Sequence, residues 1–309
     1  MRASPIYIMM AAIAILDMGC SWYSVQRQLV IIIKTFKICY SKQLDFVLVF
    51  LRIFLDNSRN YTRRCSTWLS FLITLYRALV LRYPLNQKFN VLSKPKSAYY
   101  SILIVCVLSI LIHIVDPFRY DIFPQTDPEC NQWTLHEHWW YHDSDFYTDN
   151  DWFVAKVHHI VDGLISRIIP CILFIIATYF LIKAIRDAEK QSELIRSNRN
   201  AKLSRNTSYL VLTLTISFFI AGFPMGVISL LSPFSPSEKS QDEGFLLYIM
   251  LQTFDDFFSI VFIVTTASHM VICFFMSSSY REVAMNILSC GLSSKGRHEA
   301  NSVTATERI

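Results

Sequence analysis

Charged residues and glycines are both scarce in this sequence. Of its 309 residues, 17% are charged and seven are glycine, whereas about a quarter of the residues in a soluble domain carry charge. Three catalytic signatures are also missing: the glycine-rich phosphate loop, the His-Glu-x-x-His zinc motif and the Gly-x-Ser-x-Gly nucleophile turn. These absences argue against a soluble enzyme. We therefore predict no enzymatic activity, no cofactor and no nucleic-acid partner.

Hydrophobic residues make up 53% of the chain and are concentrated in long runs. A helix that crosses the hydrocarbon core of a membrane needs about 20 mostly apolar residues. Five runs meet this requirement, at residues 5–25, 97–116, 153–183, 207–232 and 245–276. A sixth run, 44–82, has apolar ends around a polar middle. We predict an all-α membrane protein with these six spans in residues 1–280, followed by a cytoplasmic amphipathic helix and tail in residues 281–309.

The basic residues of the short loops predict the orientation, because cytoplasmic loops carry an excess of Lys and Arg. Residues 82–97, residues 183–206 and the tail after Tyr280 are rich in Lys and Arg. The segment 117–152 instead holds eight acidic residues against one arginine, Arg119. We therefore predict that this acidic loop is extracellular and that the C-terminus is cytoplasmic, in a multi-pass protein of the plasma membrane.

The inner end of the 44–82 span carries an arginine and a proline at a distinctive spacing. Arg77 is followed seven residues later by Pro84, and this spacing resembles the end of the third helix in rhodopsin-like receptors. The acid before that arginine is replaced by Tyr76, and the aromatic residue after it by Ala78. A charged side chain near the end of a membrane helix usually has a function. The alternative is that the arginine only extends its charged group to the membrane–water interface.

Other landmarks of the same family follow in order along the chain. Asp17 fits the buried acid of the second helix, Pro170 the proline of the fifth, and Pro224 with Phe218 the proline and core aromatic of the sixth. The last span has His269-Met270-x-x-Cys273 where these receptors have Asn-Pro-x-x-Tyr, and Tyr280-Arg281 comes after it.

Residues 63–69, 217–224 and 273–281 narrow the resemblance further. They are similar to the nematode serpentine chemoreceptors of class W, which resemble FMRFamide-type neuropeptide receptors. The resemblance runs from Met1 to about Cys290. It implies a rhodopsin-like bundle with six of the seven helices present, the first being absent, in which Met1 starts in a cytoplasmic loop. It also implies a heterotrimeric G protein as partner and a neuropeptide or chemosensory cue, peptide or small molecule, as ligand. The implied coupling and switch residues are Arg77, Pro84, Phe218, Pro224, His269 and Cys273.

Two polar clusters are expected within the bundle. The resemblance brings Asp17, Ser66, Thr266 and His269 together at mid-membrane, where they either hold a sodium ion, pair Asp17 with His269, or keep a protonated Asp17 bonded to Ser66. In the second cluster, Asp56, Arg59, Asn60 and Arg63 recur at helical spacing, so they share one face of their helix, in the outer half of the bundle. We predict ligand contact there, or internal ion pairs, for Asp56, Arg59, Asn60, Arg63, Asp255 and Asp256. These charges favour a short basic peptide.

Several features of the loops and tail complete these expectations. The resemblance implies a disulfide between Cys39 and Cys130, and Cys290 at the end of the amphipathic helix is a candidate for palmitoylation. The histidines His136, His138 and His142 have the residue type for zinc, but a solvated loop without metal is the expectation. A transporter or channel subunit and a non-signalling receptor fragment are the alternative functions.

Overall fold

The computed structural model describes residues 5–36, 41–83, 91–126, 137–195, 216 and 219–232, together with 249–251, 253–254, 257–261 and 264–265. Five long helices lie in these ranges. They are α1 (Pro5–Thr35), α2 (Lys42–Arg82), α3 (Pro95–His113), α4 (Asp145–Asp162) and α5 (Ile169–Ile195). A shorter apolar helix, α6, covers Phe219–Leu231. Two strands, β1 (Tyr120–Thr126) and β2 (Glu137–Asp143), separate α3 from α4.

Helix α2 is the central element of the bundle. It runs unbroken for 41 residues, about 60 Å at 1.5 Å per residue, because it contains no glycine or proline. At its start the Ser41 hydroxyl accepts a hydrogen bond from the Leu44 N–H at 3.3 Å. Helices α1, α3 and α5 all pack against α2. Its polar middle is helical because those side chains face the interior of the bundle rather than lipid.

Two apolar clusters lie among the described residues of the interior. One joins α1, α2 and α3 through residues that include Met9, Leu69 and Val105. The other joins α1, α5 and α6 through Cys20, Phe174, Ala221 and Met225.

Helix α3 shows the arrangement expected in lipid. Its buried residues are small or short, namely Ala98, Ser101, Val105 and Ser109, and small residues let membrane helices approach closely. Its large apolar side chains, such as Leu103, Val107 and Leu111, are exposed instead. Among the described residues, three helical stretches are long and apolar enough to cross a membrane: Ile8–Ile33, Pro95–Phe118 and Trp152–Asp187.

A β-hairpin that was not expected from the sequence covers one end of the bundle. Strands β1 and β2 pair antiparallel, from Tyr120 opposite Asp143 to Thr126 opposite Glu137. The Ser144 N–H donates to the Arg119 carbonyl at 2.7 Å and closes the base of the hairpin. The hairpin packs on the N-terminal part of α2, at the opposite end of that helix from Arg82.

A π-helical segment, Gly163–Ile168, connects α4 to α5. Helix α6 approaches it closely. A Cβ atom built on Gly226 would lie 2.8 Å from Ile168 Cγ1 and 3.1 Å from Arg167 Cβ. Only glycine therefore fits at position 226 without displacing its neighbours.

Candidate functional site

A charged cavity of about 420 Å³ lies beneath the hairpin, between α1, α2, α4, the π segment and α6. Within the described part of the chain, six arginines and three aspartates line it. They are Arg27, Arg52, Arg59, Arg64, Arg119 and Arg167, with Asp56, Asp116 and Asp162. Charged side chains at membrane depth normally face a water-filled cavity or pair with each other. This cavity contains both arrangements.

The outer part of the cavity combines arginines with tyrosines. Arg59 pairs with Asp56 at 2.9 Å, and its guanidinium lies over the Tyr23 ring at 4.2 Å from the centroid. The Tyr120 hydroxyl donates to Asp56 at 3.4 Å. Arg52, one helical turn before Asp56, lies over the Tyr141 ring at 5.2 Å.

Strand β2 is fixed to α2 beside this region. The Trp139 N–H donates to the Asp45 carboxylate at 2.5 Å, and the Phe46 and Trp139 rings meet edge to face at 5.1 Å. Side chains two residues apart on a strand point to the same side, so the bond at Trp139 also positions Tyr141. Burial raises the pKa of Tyr141, and the phenol is therefore protonated at neutral pH.

The inner part of the cavity is a network around Arg64. Its Nη2 donates to Asp162 at 2.7 Å, its Nε to the Ser166 hydroxyl at 2.6 Å, and its Nη1 to the Ser109 carbonyl at 3.1 Å. The Ser166 hydroxyl also donates to Asp162, at 2.7 Å. One buried guanidinium thus connects α2, α3, α4 and the π segment.

Arg167 extends this network to α6. Its Nη1 donates to the Ser229 hydroxyl at 2.5 Å and to the Met225 carbonyl at 2.7 Å, and its Nη2 lies 3.7 Å from Asp162. Asp162 therefore contacts both Arg64, which connects α2 to α3, and Arg167, which binds α6.

A histidine cluster closes the side of the cavity near α3. The Asp116 carboxylate contacts His113, and its other oxygen lies 2.8 Å from His158 Nε2. The Tyr147 hydroxyl lies 2.9 Å from His158 Nδ1. These contacts join the C-terminal part of α4 to the end of α3 and occupy the Asp116 carboxylate.

The structure brings together three of the predicted ligand-binding residues. Asp56, Arg59 and Asn60 line the charged cavity. Arg63 lies deeper, where it donates to Asn60 at 3.4 Å and contacts the Met225 sulfur at 4.0 Å. It lines a second, small cavity of about 20 Å³.

Two of the four predicted ion-site residues also meet. The Ser66 hydroxyl donates to Asp17 Oδ1 at 2.6 Å, and both residues are buried. Towards the C-terminal end of α2, the Tyr76 and Ser101 hydroxyls lie 2.6 Å apart. The tyrosine that replaces the family's acid beside Arg77 thus connects α2 to α3. Pro224 lies in α6 and is half-buried.

The remaining predicted positions lie outside the described residues. They are Asp255, Asp256, Pro84, Phe218, Thr266, His269, Cys273, Cys39, Cys130 and Cys290. The disulfide, the lipid anchor and the outer aspartates therefore stay predictions.

Sequence reasoning missed the residues at the centre of the inner network: Arg64, Asp162 and Arg167. A usable signal was present, because Asp162 and Arg167 are charges inside the mostly apolar run 153–183, and such charges mark functional or structural sites. The functional signal for Tyr141 was weaker, since it lies in a loop rich in aromatic residues.

Comparison with known protein families identifies the family to which this helical bundle belongs. The family model for serpentine type 7TM GPCR chemoreceptors, Srw, matches residues 1–291. The chain belongs to this family. No curated protein matched the receptor sequence.

Membership of the Srw family agrees with the class W resemblance and with the all-α seven-helix fold that it implies. The Srw chain is thus a GPCR-type receptor and a multi-pass membrane protein, as its exposed apolar helices also indicate. The family is one of GPCR chemoreceptors, not of enzymes or of transporters.

Proposed function

We propose that this Srw receptor binds an extracellular ligand in the charged cavity and signals to a heterotrimeric G protein. The observation that carries the proposal is the cavity itself. A space of about 420 Å³ lined by charged side chains is costly inside a membrane bundle unless it serves a function. Its volume lies within the range of about 300–1,000 Å³ that is typical of ligand pockets.

The position of the cavity along α2 supports an extracellular entrance. Arg77 follows Arg59 by 18 residues, which is about 27 Å along the helix axis. The cavity and the hairpin thus lie along the N-terminal half of α2, and the proposed coupling residue Arg77 lies near its C-terminal end. The acidic loop that contains the hairpin is the loop that the charge pattern predicts to be extracellular.

The ligand is a neuropeptide of the FMRFamide-like kind or a small chemosensory cue. The volume admits a few side chains of a short peptide or one small polar molecule. The expectation of a basic peptide rests on Asp255 and Asp256, and it remains a proposal. The described lining favours negative groups, since its arginines outnumber its aspartates.

The network around Asp162 offers a route from the ligand to the cytoplasmic side. Arg64 and Asp162 line the cavity, and Arg167 connects Asp162 to Met225 and Ser229 of α6. A ligand that draws Arg64 or Arg167 away from Asp162 changes the contacts that hold α6. We propose that this release moves α6 relative to α2 and opens the coupling surface near Arg77.

A signalling screen tests the proposal. The receptor is expressed with a promiscuous G protein, and intracellular calcium is recorded against short amidated peptides and small polar metabolites. We expect an agonist whose half-maximal concentration rises about tenfold or more in Asn60→Leu, while Val107→Ala, on the exposed face of α3, behaves as the parent. Responses that are identical in mock-transfected cells, or an agonist unaffected by any cavity variant, would contradict it.

A further inference from the structure

The carboxylates that line the charged cavity are already engaged. Asp56 binds Arg59 and Tyr120, Asp116 binds two histidines, and Asp162 binds Arg64. Arg119 pairs with Asp143 at 3.1 Å, beside the hairpin. Each aspartate of the described lining thus has specific partners, whereas the arginines of the lining are not all paired with a carboxylate.

Arg52 is a lining arginine that makes no ion pair with a carboxylate in the described part of the chain. Its guanidinium lies over the Tyr141 ring, 5.2 Å from the centroid, and its Nε atom is buried without a hydrogen-bond acceptor among the described residues. Stacking on an aromatic ring holds the guanidinium plane and leaves the N–H groups at its edge available. A guanidinium held in this way can donate two parallel hydrogen bonds to a planar oxyanion such as a carboxylate.

Tyr141 adds a second donor at the same place. Its hydroxyl makes no hydrogen bond within the described residues, and β2 is held against α2 by the Trp139–Asp45 bond. Because the phenol is protonated, it donates a hydrogen bond and does not repel an anion. Ring and guanidinium are therefore positioned before any ligand arrives, which lowers the entropy lost on binding.

The height of Arg52 explains how an anion would reach it. Arg52 precedes Arg77 by 25 residues, which is about 37 Å along α2. The hydrocarbon core of a membrane is about 30 Å thick. If Arg77 marks the inner edge of this core, Arg52 therefore lies beyond its outer edge. A ligand that enters beneath the hairpin meets Arg52 before the paired charges of Arg64 and Asp162. We propose that Arg52 and Tyr141 form an anion-binding subsite that takes the carboxylate of the ligand. This inference rests on the proposed function of the cavity as the ligand site.

The carboxylate can belong to a small organic acid or to the C-terminus of a peptide, and two probe pairs distinguish these sources. The first pair is 4-fluorobenzoate and its neutral counterpart 4-fluorobenzamide. The second is acetyl-Gly-Gly-(4-fluoro)phenylalanine as the free acid and as the C-terminal amide. Fluorine NMR line broadening reports binding to full-length receptor in lipid nanodiscs, in Tris buffer without competing oxyanions.

Arg52→Gln is the test variant, and Arg82→Gln is its matched control. Arg82 lies at the other end of the same helix and also stacks its guanidinium on an aromatic ring, at 5.5 Å from Phe180. Arg52→Lys keeps the charge without the two-pronged donor. Thermal unfolding of each variant shows whether it is folded.

We expect at least one acid to bind about tenfold more tightly than its amide, in line with a charge-assisted hydrogen bond. Arg52→Gln should reduce that acid to the level of the amide, Arg52→Lys should retain part of the difference, and Arg82→Gln should leave it unchanged. The acid that binds identifies the source. Equal binding of acids and amides, or acid binding that survives in both Arg52 variants, would overturn the subsite.

This measurement needs no G protein. A receptor that binds the acids through Arg52 but activates no G protein would contradict the proposed function and leave the subsite standing. A receptor that signals through cavity residues but does not distinguish acid from amide would contradict the subsite alone.

Discussion

Arg64 of α2 and Asp162 at the end of α4 form a 2.7 Å ion pair, and the Arg64 side chain is only 1% exposed. The two residues are 98 positions apart in sequence. Arg64 also binds Ser166 and Ser109, so its donors are satisfied by three separate elements. The pair therefore fixes the mutual arrangement of α2, α3 and the π segment, and Arg167 transmits that arrangement to α6.

Replacing Asp162 tests how far the bundle depends on this pair. In Asp162→Asn, both Arg64 and Arg167 lose their shared carboxylate, and a buried charge left without its partner costs about 3–5 kcal/mol. We expect most of the receptor to be lost from the cell surface, as measured by flow cytometry of an epitope-tagged chain. Asp187→Asn, at an exposed position on α5, is the control and should be expressed normally. Normal surface expression of Asp162→Asn would show that the pair is dispensable.

The contact between α6 and the π segment gives a second prediction. A Cβ atom at position 226 would lie 2.8 Å from Ile168 Cγ1, and overpacking of this kind typically costs about 1–3 kcal/mol. Gly226→Ala should therefore lower the melting temperature of the purified receptor. Gly222→Ala on the same helix meets only Cys171 Sγ, at 3.4 Å, and should be neutral. Adding Ile168→Ala to Gly226→Ala should restore part of the loss, and additive effects of the two changes would contradict the contact.

The bond between Tyr76 and Ser101 predicts a coupling that can be measured. A single hydrogen bond contributes about 0.5–1.5 kcal/mol net, so Tyr76→Phe and Ser101→Ala should each reduce thermal stability by a similar amount. The double variant should be no less stable than the weaker single variant, because both changes remove the same bond. If the proposal for Arg77 holds, the variants also raise basal nucleotide exchange on the G protein. Independent, additive losses would mean that the two hydroxyls do not interact.

The helical bundle was largely predictable, and its polar interior was only partly so. Residues 44–82 were predicted as one membrane span because apolar ends flank the polar middle, and a single continuous helix, α2, contains them; that this helix crosses the membrane stays a prediction. The periodicity predicted that Asp56, Arg59 and Asn60 share one face of the helix, and all three line the cavity. It could not separate Arg63 from Arg64. These adjacent residues differ by about 100° around the axis, and only the packing of α6 and the π segment decides which one faces each.

The π segment explains a second gap. Asp162 and Arg167 are five residues apart, a spacing that places two side chains on different faces of an α-helix. The i to i+5 geometry of a π-helix brings such residues toward one side, and here both reach Arg64 or α6. A 3.6-residue period therefore could not have predicted this network. The hairpin was missed because residues 120–143 lack a regular alternation of polar and apolar side chains.

The central claim is that the charged cavity opens to the outside of the cell, and cysteine accessibility tests it most directly. A cysteine is introduced at Asn60, which lines the cavity, and intact cells are treated with a membrane-impermeant thiol reagent. Val107→Cys, on the exposed apolar face of α3, and the parent chain with its own cysteines are the controls. We expect Asn60→Cys to be labelled well above the parent and Val107→Cys to remain at the parent level. Labelling of Asn60→Cys that appears only after the cells are permeabilised would show that the cavity faces the cytoplasm and would contradict the account.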